Sequence, residues 1–369
     1  MSINYQDRLI TLQNGLEKQN VDVAMITSPA NVFYYTGFNS DPHERFMGLV
    51  VDNRKQEFTL FVPALDKEIA ASESFVKKVV PISDEEHPFE KLKDELGENI
   101  THFGLEMKAV SMYQHNRLST NFPKASYVDI QSFINAQRLK KSESEIAYLQ
   151  EAAEIIEKVL AEGIKNVKIG MTELELTAEL EYLMKKYGSE GPSFSTTVLS
   201  GEKSALPHGS SGDRSFRKGD FLLIDMGVIK NGYCSDITRT FIIGEATDKQ
   251  KEIYAIVLKS NQAGIKAVEA GSPVKTFDIE ARNVINSHGY GSYFNNRVGH
   301  GLGIEVHEEP SIHENNDSLA DKGMVFTIEP GIYIPDFGGV RIEDELYINP
   351  SGEVEVLTSF PRELQILGV

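Results

Sequence analysis

Two segments of the sequence each place a pair of carboxylates on a predicted β-hairpin. In the first, FLLIDMGVI and YCSDITRTF flank the turn signal Lys230-Asn231-Gly232. Asp225 and Asp236 are equidistant from position 230.5, so we expect them opposite or nearly opposite on one face of the hairpin. Like charges so arranged repel unless a cation lies between them. The structural alternative is a pair of strand-end aspartates that point into water.

The second segment repeats the arrangement. VFTIEPGIYI (325–334) and VRIEDELYI (340–348) flank the turn signal DFGG (336–339), and Glu329 and Glu343 are each seven residues from position 336. Both glutamates interrupt aliphatic runs, where a buried charge without a partner is very costly. Because each of the two hairpins carries a symmetrically placed pair of carboxylates, we predict that the four carboxylates meet at one site.

The segment GHGLGIEVHEEP (299–310) brings histidines to the same part of the chain. It is not a phosphate loop, because no strand–loop–helix unit surrounds it. It is not a zinc helix either, because His300 and His307 are seven residues apart and not four. We predict that it lies near a β-rich core, that its small glycines admit substrate and metal, and that the two histidines have different roles.

Four carboxylates and one or more imidazoles suit two divalent cations. A ligand set dominated by carboxylates favours Mn²⁺. With a histidine added, Co²⁺ or Fe²⁺ also suit the site, and Zn²⁺ is a further alternative. Paired metals share a water molecule, lower its pKa and polarise a carbonyl beside it. The expected chemistry is therefore hydrolysis.

The first 130 residues contain the elements of an α/β domain, because short apolar runs alternate with helix-like segments. The runs predict strands at VDVAMI (21–26), NVFYYTGF (31–38), MGLVVD (47–52), EFTLFVP (57–63), KKVVPI (77–82) and THFGLE (101–106).

A change of pattern near residue 135 predicts two domains, 1–134 and 135–369. Ser142 and Glu145 form a capping box that starts a long helix. A second helix follows residue 172, a β-rich section begins near residue 193, and two more helical stretches lie within 248–288. Two helical stretches each followed by strands indicate an internal duplication.

Bulk properties limit the partners. The net charge of −18 argues against nucleic acid and anionic membranes. Cys234 is the only cysteine, so neither an intrachain disulfide nor a multi-thiolate metal site can form. The N-terminal segment carries charges throughout and lacks the apolar core of a signal peptide. We expect a cytoplasmic protein.

The motifs of the sequence resemble those of the pita-bread metallopeptidases, the family of aminopeptidase P, prolidase and methionine aminopeptidase. The matching strings, in family order, are LPHG (206–209), IDMG with SDITRTF, GHGLGIEVHE, EPGIY and VRIEDE. The resemblance implies a creatinase-like α/β N-terminal domain and a pita-bread catalytic domain, which has pseudo-two-fold halves and a curved antiparallel sheet. The chain length and the SDPHERF loop are most similar to the short bacterial Xaa-Pro dipeptidases, or prolidases.

The resemblance also implies roles for individual residues. Asp236 and Glu343 would bridge the two metals, and Glu329 would act as general base toward a metal-bridging hydroxide. His208 and His307 would bind substrate and stabilise the tetrahedral intermediate, and Arg341 would orient the ligand carboxylates. The complete ligand set that it implies is Asp225, Asp236, His300, Glu329 and Glu343.

Substrate specificity leaves alternatives open. A dipeptidase must recognise the free carboxylate after proline, and Arg297 is a candidate clamp, although it would otherwise be an ordinary surface arginine. In similar prolidases a loop matching Asp41, His43, Glu44 and Arg45 lies near an active site, its own or that of the neighbouring subunit of a homodimer. We predict an Xaa-Pro dipeptidase that acts on small proline-containing peptides. The alternatives are an aminopeptidase P that acts on longer peptides and a catalytically silent binding protein on the same fold.

Overall fold

The computed structural model describes residues 3–368, which divide into two compact units between Arg138 and Leu139. The units are defined by spatial contacts within the folded chain. The predicted domain limits, 1–134 and 135–369, stay a prediction.

The amino-terminal unit is built on one mixed six-stranded sheet in the order β4-β3-β2-β1-β5-β6. The β1–β2 and β2–β3 pairs are antiparallel, and the other three pairs are parallel. Its elements are α1 (Tyr5–Lys18), β1 (Val23–Ile26), α2 (Pro29–Thr36), β2 (Gly48–Asp52), β3 (Glu57–Pro63), α3 (Lys67–Glu73), β4 (Lys78–Ile82), α4 (Pro88–Leu96), β5 (His102–Leu105), α5 (Met112–Asn121), β6 (Ser126–Asp129) and α6 (Gln131–Leu139).

One predicted strand of this unit is wrong, because NVFYYTGF forms most of helix α2. Pro29 at the first helical position has a backbone angle suited to a helix start. Gly37, at a φ of 76°, ends the helix in the left-handed conformation. The carboxylate of Glu106 accepts the N–H of the N-cap residue Ser28 at 2.9 Å. That partner lies far away in sequence, so the apolar run alone could not indicate a helix.

Over residues 139–368, the carboxyl-terminal unit contains the four α-helices from α7 to α10 and four small sheets. Its strands pair in the orders β20-β12-β9-β8, β14-β13-β15-β18-β19, β11-β10-β7 and β16-β17. Its elements are α7 (Glu143–Gly163), α8 (Glu173–Lys186), β7 (Gly191–Pro192), β8 (Thr197–Ser200), β9 (Phe221–Met226), β10 (Val228–Lys230), β11 (Tyr233–Cys234), β12 (Ile237–Ile243), α9 (Asp248–Lys266), α10 (Lys275–Ser287), β13 (Gly299–Gly301), β14 (Glu308–Ile312), β15 (Val325–Ile328), β16 (Gly331–Ile334), β17 (Gly338–Arg341), β18 (Asp344–Ile348), β19 (Val354–Val356) and β20 (Ile366–Leu367).

Two hydrophobic cores divide this unit into similar halves. In one half, α7 and α8 pack on the sheet that contains β8, β9 and β12. In the other, α9 and α10 pack on the strands from β13 to β18. Each half thus combines a helix pair with antiparallel strands, and the predicted fold class is confirmed.

The helix predictions for this unit hold in detail. Ser142 accepts the N–H of Glu145, whose carboxylate accepts the N–H of Ser142, and the capping box starts α7. Helices α9 and α10 both lie within the predicted range 248–288. Among residues 3–368, none of the helices combines the length and the apolar character that crossing a membrane requires.

Candidate metal centre and substrate cavity

The first predicted hairpin forms, and its centre lies one residue beyond the predicted position 230.5. Thr238 pairs with Asp225, so Asp236 lies two residues away on the partner strand and not directly opposite. The turn consists of Asn231 and Gly232 alone, both with positive φ, 52° and 75°, as a tight two-residue turn requires. Because side chains alternate with a period of two, this shift keeps both aspartates on one face.

The second predicted hairpin has the register expected for Glu329 and Glu343. Pairing runs from Gly331 with Arg341 to Ile334 with Gly338, centred on residue 336, and continues in the same register where Ile328 pairs with Asp344. Pro330 has no N–H and interrupts the strand directly after Glu329. The two glutamates therefore lie where the hairpin passes from one sheet to the next.

Backbone hydrogen bonds connect these segments. The N–H of Glu343 donates to the carbonyl of Thr238 at 3.1 Å, which joins the second hairpin to the first. The N–H of Glu329 donates to the carbonyl of Val298 at 2.7 Å, next to strand β13, which carries His300.

His300 brings its imidazole to the carboxylates. Its Nε2 lies 3.6 Å from Oδ2 of Asp236 and 3.4 Å from Oε1 of Glu329. Its Nδ1 lies 3.1 Å from the carbonyl of Gly301, which favours the tautomer that leaves Nε2 free as a ligand. Burial, together with the neighbouring His307, lowers the pKa of His300 to about 3, so its ring is neutral.

The donor atoms fit a divalent cation. One ligand atom each from Asp236, His300 and Glu343 lies within 4.8 Å of the other two. Within residues 3–368, Oδ1 of Asp225, Oδ1 of Asp236 and Oε1 of Glu343 are buried without a hydrogen-bond partner. Buried carboxylate oxygens without donors are costly, and divalent cations bound among them would relieve that cost.

The electrostatics of the carboxylates agree with this assignment. Burial and the neighbouring carboxylates raise the pKa of Asp236 and that of Glu343 well above the usual range. Burial raises the pKa of Glu329 to about 7, an effect that Arg341 opposes and Asp225 adds to. A divalent cation favours the charged form of every one of these groups.

Arg341 is a buried guanidinium that contacts carboxylates of the predicted ligand set. It donates to Oδ2 of Asp225, and its Nε lies 4.0 Å from Oε2 of Glu329. Its Nε also donates to the Thr238 hydroxyl at 3.1 Å, and that hydroxyl donates to Oε2 of Glu343 at 2.6 Å. Arg341 and Thr238 together fix the orientation of three carboxylates.

Sequence reasoning missed Thr238, Tyr333 and Glu345. Tyr333 accepts a hydrogen bond from Arg341 at 2.9 Å, and Oε1 of the buried Glu345 accepts the N–H of Asp236 at 2.7 Å. Thr238 follows Asp236 by two residues, and Glu345 follows Glu343 by two. The period-two alternation of strands could therefore have indicated both.

A cavity of about 560 Å³ opens onto this centre. It brings together all the site residues predicted in the second half of the chain with several residues of apolar character. The wall comprises His208, Asp225, Asp236, Arg297, His300, His307, Glu329, Arg341 and Glu343, together with Phe194, Pro207, Val306 and Tyr333. Arg297 donates to the hydroxyl of Ser311 at 3.1 Å.

The 41–45 loop belongs to the amino-terminal unit, where its residues interact with one another and with Asp84. Oδ1 of Asp41 accepts the N–H of His43, which has a φ of 54°. Arg45 pairs with Glu44 and with Asp84, each at 2.8 Å. A role of this loop at an active site stays a prediction.

Close approach of neighbouring backbone requires glycine at Gly299 and Gly301, and a role of these glycines in admitting substrate and metal stays a prediction. A Cβ on Gly299 would lie 1.9 Å from the carbonyl oxygen of Thr327, and one on Gly301 would lie 2.0 Å from that of Glu309. Only glycine permits these close strand approaches.

The ring of His307 meets that of His300 edge-on, with centroids 4.2 Å apart.

A buried carboxylate-rich centre with one imidazole, open to a cavity, is typical of a metal-dependent hydrolase. The profile of Metallopeptidase family M24 matches residues 147–350, and that of the Creatinase/Prolidase N-terminal domain matches residues 8–140. The chain belongs to metallopeptidase family M24.

Individual proteins are similar over nearly the whole chain. YkvY of Bacillus subtilis, which its name assigns provisionally as a dipeptidase, is 40% identical over 364 residues, 98% of this chain and 100% of that protein. The Xaa-Pro dipeptidase from Bacillus anthracis has a TM-score of 0.90 and 33% identity, covering 99% of this chain and 100% of that one. Recombinant prolidase from Thermococcus sibiricus has a TM-score of 0.94 and 34% identity, with both chains fully covered.

Proposed function

We propose that this protein hydrolyses Xaa-Pro dipeptides at a centre of two divalent metal ions. The observation that carries the proposal is the set of three buried, unpartnered carboxylate oxygens beside His300, in a cavity that also contains Arg297 and two further histidines. The Xaa-Pro dipeptidase and the prolidase to which the chain is similar support the choice of substrate. The proposed metal ligands are Asp225, Asp236, His300, Glu329 and Glu343.

Two divalent ions in this centre would lower the pKa of a water molecule and polarise the carbonyl of the scissile bond. The donor set favours Mn²⁺, with Co²⁺, Fe²⁺ and Zn²⁺ as alternatives that reconstitution would separate.

Glu329 is the group that we assign as general base. Its side chain is 17% exposed, toward the cavity, whereas that of Glu343 is almost fully buried. Arg341, 4.0 Å from Oε2 of Glu329, holds this carboxylate in place. Oε1, which lies 3.4 Å from Nε2 of His300, is the oxygen that we assign to accept the proton.

His208 and His307 are assigned to the substrate. Burial and the charge of Arg297 lower the pKa of His307, so its ring is neutral and offers one N–H donor. A donor fixed near the scissile carbonyl stabilises the negative charge that develops on its oxygen. His208 lies in the wall of the same cavity and would bind the peptide.

Arg297 is assigned to the carboxylate that follows proline in a dipeptide. Its guanidinium is partly exposed and tied to Ser311 through one nitrogen. The remaining donors can bind a carboxylate in the forked geometry that arginine favours.

The remaining assignments concern the location of the enzyme in the cell, its oligomeric state and its domain limits. We propose a cytoplasmic homodimer in which Asp41, His43, Glu44 and Arg45 limit substrate length at their own or the partner's active site. The exposed, charged character of that loop supports such a role. We also retain 1–134 and 135–369 as the limits of two domains, and expression of each part alone would test them.

The test compares Ala-Pro with Ala-Pro-Pro as substrates of the Mn²⁺-loaded protein, with a chelated sample as control. We expect efficient release of proline from the dipeptide, little cleavage of the tripeptide, and no activity after chelation. Cleavage of the tripeptide alone would identify an aminopeptidase P, and a protein that holds no divalent metal would identify a silent binding protein. Either outcome would contradict the proposal.

A further inference from the structure

Glu173 is a fully buried carboxylate in the first turn of α8. Its Oε1 accepts the N–H of Ser200 at 2.8 Å and the hydroxyl of the same residue at 2.9 Å. Its Oε2 accepts the N–H of Gly212 at 2.9 Å and pairs with the ammonium of Lys203. The two oxygens of Glu173 therefore bind at different places in the chain: Oε1 binds Ser200, and Oε2 binds Lys203 and Gly212.

Two of these partners, Ser200 and Gly212, flank one loop. Ser200 is the last residue of β8, and Gly212 lies twelve positions further along the chain. We call residues 201–211 the histidine loop, because they carry His208 into the wall of the cavity. Lys203 also donates to the carbonyl of Ser210 at 3.2 Å, which draws the two arms of the loop together.

Helix α8 holds the second end of the histidine loop through further contacts. Thr177, one turn after Glu173, donates its hydroxyl to that of Ser211 at 2.9 Å. The N–H of Leu174 donates to the carbonyl of Gly212 at 3.2 Å. The end of the loop is thus fixed to a regular element, which defines positions more precisely than a free loop does.

We propose that Glu173 is a positioning residue that sets the location of His208 by fastening both ends of the histidine loop to α8. This proposal rests on the assignment of His208 to the substrate. Glu173 is neither a proposed ligand nor one of the residues described in the cavity wall, and it acts through the loop.

Glutamine is the informative replacement. It fills the same volume but has only one acceptor oxygen, so its amide group must face the donors at one end of the loop. Glu173→Gln therefore satisfies either Ser200 or Gly212 but not both. Glu175→Gln is the matched control, because Glu175 lies on the same turn and its carboxylate bonds with Thr172 in the capping box, which glutamine also serves.

Hydrogen exchange tests the fastening without any substrate. We expect the amides of residues 200–212 to exchange faster in Glu173→Gln than in the wild type, with no change in β9 and no change in Glu175→Gln. Wild-type exchange throughout the histidine loop would overturn the proposal. This result does not depend on turnover, so it stands even if the wild type fails to release proline from Ala-Pro, which would count against the proposed function alone.

A double-mutant cycle tests the link to His208. We expect Glu173→Gln to lower kcat/KM for Ala-Pro by about 10- to 100-fold, because small displacements of a binding group are costly. In a His208→Ala background the same change should alter kcat/KM by less than about twofold. An equal loss in both backgrounds would show a general structural effect and would contradict the proposal. If Glu173→Gln does not fold, Glu173→Asp keeps the charge but shortens the reach, and the same pattern is expected.

Discussion

Glu343→Gln should make the metal-free protein more stable while removing its stabilisation by metal. Oε2 of Glu343 accepts the Thr238 hydroxyl at 2.6 Å, and Oε1 is buried without a partner. The glutamine oxygen can keep the bond to Thr238, and its amide group can donate toward the neighbouring carboxylates. The change thus removes one buried ionisable group without leaving a cavity. Substitutions that relieve a destabilised functional site raise the free energy of unfolding by about 1–2 kcal/mol. For a unit of this size, that corresponds to a rise in Tm of roughly 2–8 °C.

The size of this gain should depend on pH. Because burial and nearby carboxylates raise the pKa of Glu343, the folded metal-free protein keeps a proton that the unfolded chain releases above about pH 4.3. The stability that this proton provides is present at low pH and falls as the pH rises, by at most about 1.4 kcal/mol per pH unit for one group. The variant carries no such group. Its advantage should be small at pH 5 and larger at pH 8.

Thermal unfolding of chelated and Mn²⁺-loaded samples measures both effects. At 100 times its Kd, a metal should stabilise the wild type by about 2.7 kcal/mol, and Glu343→Gln should lose most of that gain. Glu345→Gln is the control for metal binding alone, because Glu345 is equally buried in the adjoining strand but is not a proposed ligand. A metal-free Glu343→Gln protein that is less stable at pH 8, or one that Mn²⁺ stabilises as strongly as the wild type, would refute the reasoning.

Three further changes test other parts of the account. Arg297→Met should raise KM for Ala-Pro by about 10- to 100-fold, because a charged hydrogen bond to the substrate carboxylate is lost; an unchanged KM in steady-state kinetics would remove that role. Glu308→Gln should cost about 3–5 kcal/mol in urea unfolding, because it breaks a buried pair with Lys141 whose side chains are 6% and 2% exposed; a loss below about 1 kcal/mol would contradict this. Gly299→Ala should lower stability by more than about 3 kcal/mol, because its Cβ would meet the Thr327 carbonyl oxygen; a wild-type melting curve would show that the strands can separate freely.

The hairpins show how much of the site the sequence determines. In the second hairpin, symmetry about residue 336 gave the correct register for Glu329 and Glu343. In the first, the assumed turn was one residue too long, because only Asn231 and Gly232 form it. Because side chains alternate with a period of two, Asp225 and Asp236 still lie on one face although the hairpin centre is one residue from the predicted position.

Other features depend on contacts that no local pattern contains. The histidine loop is irregular, and the carboxylate that fastens it, Glu173, lies outside every motif that drew attention to the site. Helix α2 uses Glu106 as a distant partner for its first turn. The glycines of the 299–303 segment suggested space for a ligand, and the structure uses Gly299 and Gly301 for close backbone approach. Composition and spacing predict donor atoms, and tertiary structure decides what holds them in place.

The most direct test of the central claim measures bound metal and activity on the same samples. Chelated wild-type protein would be titrated with Mn²⁺, and both the metal content per chain and the rate of proline release from Ala-Pro would be determined at each point. We expect no release without metal and a rate that reaches its plateau at about two ions per chain, as a centre of paired metals requires. A chain that binds no divalent metal, or that releases proline equally fast after complete chelation, would contradict it.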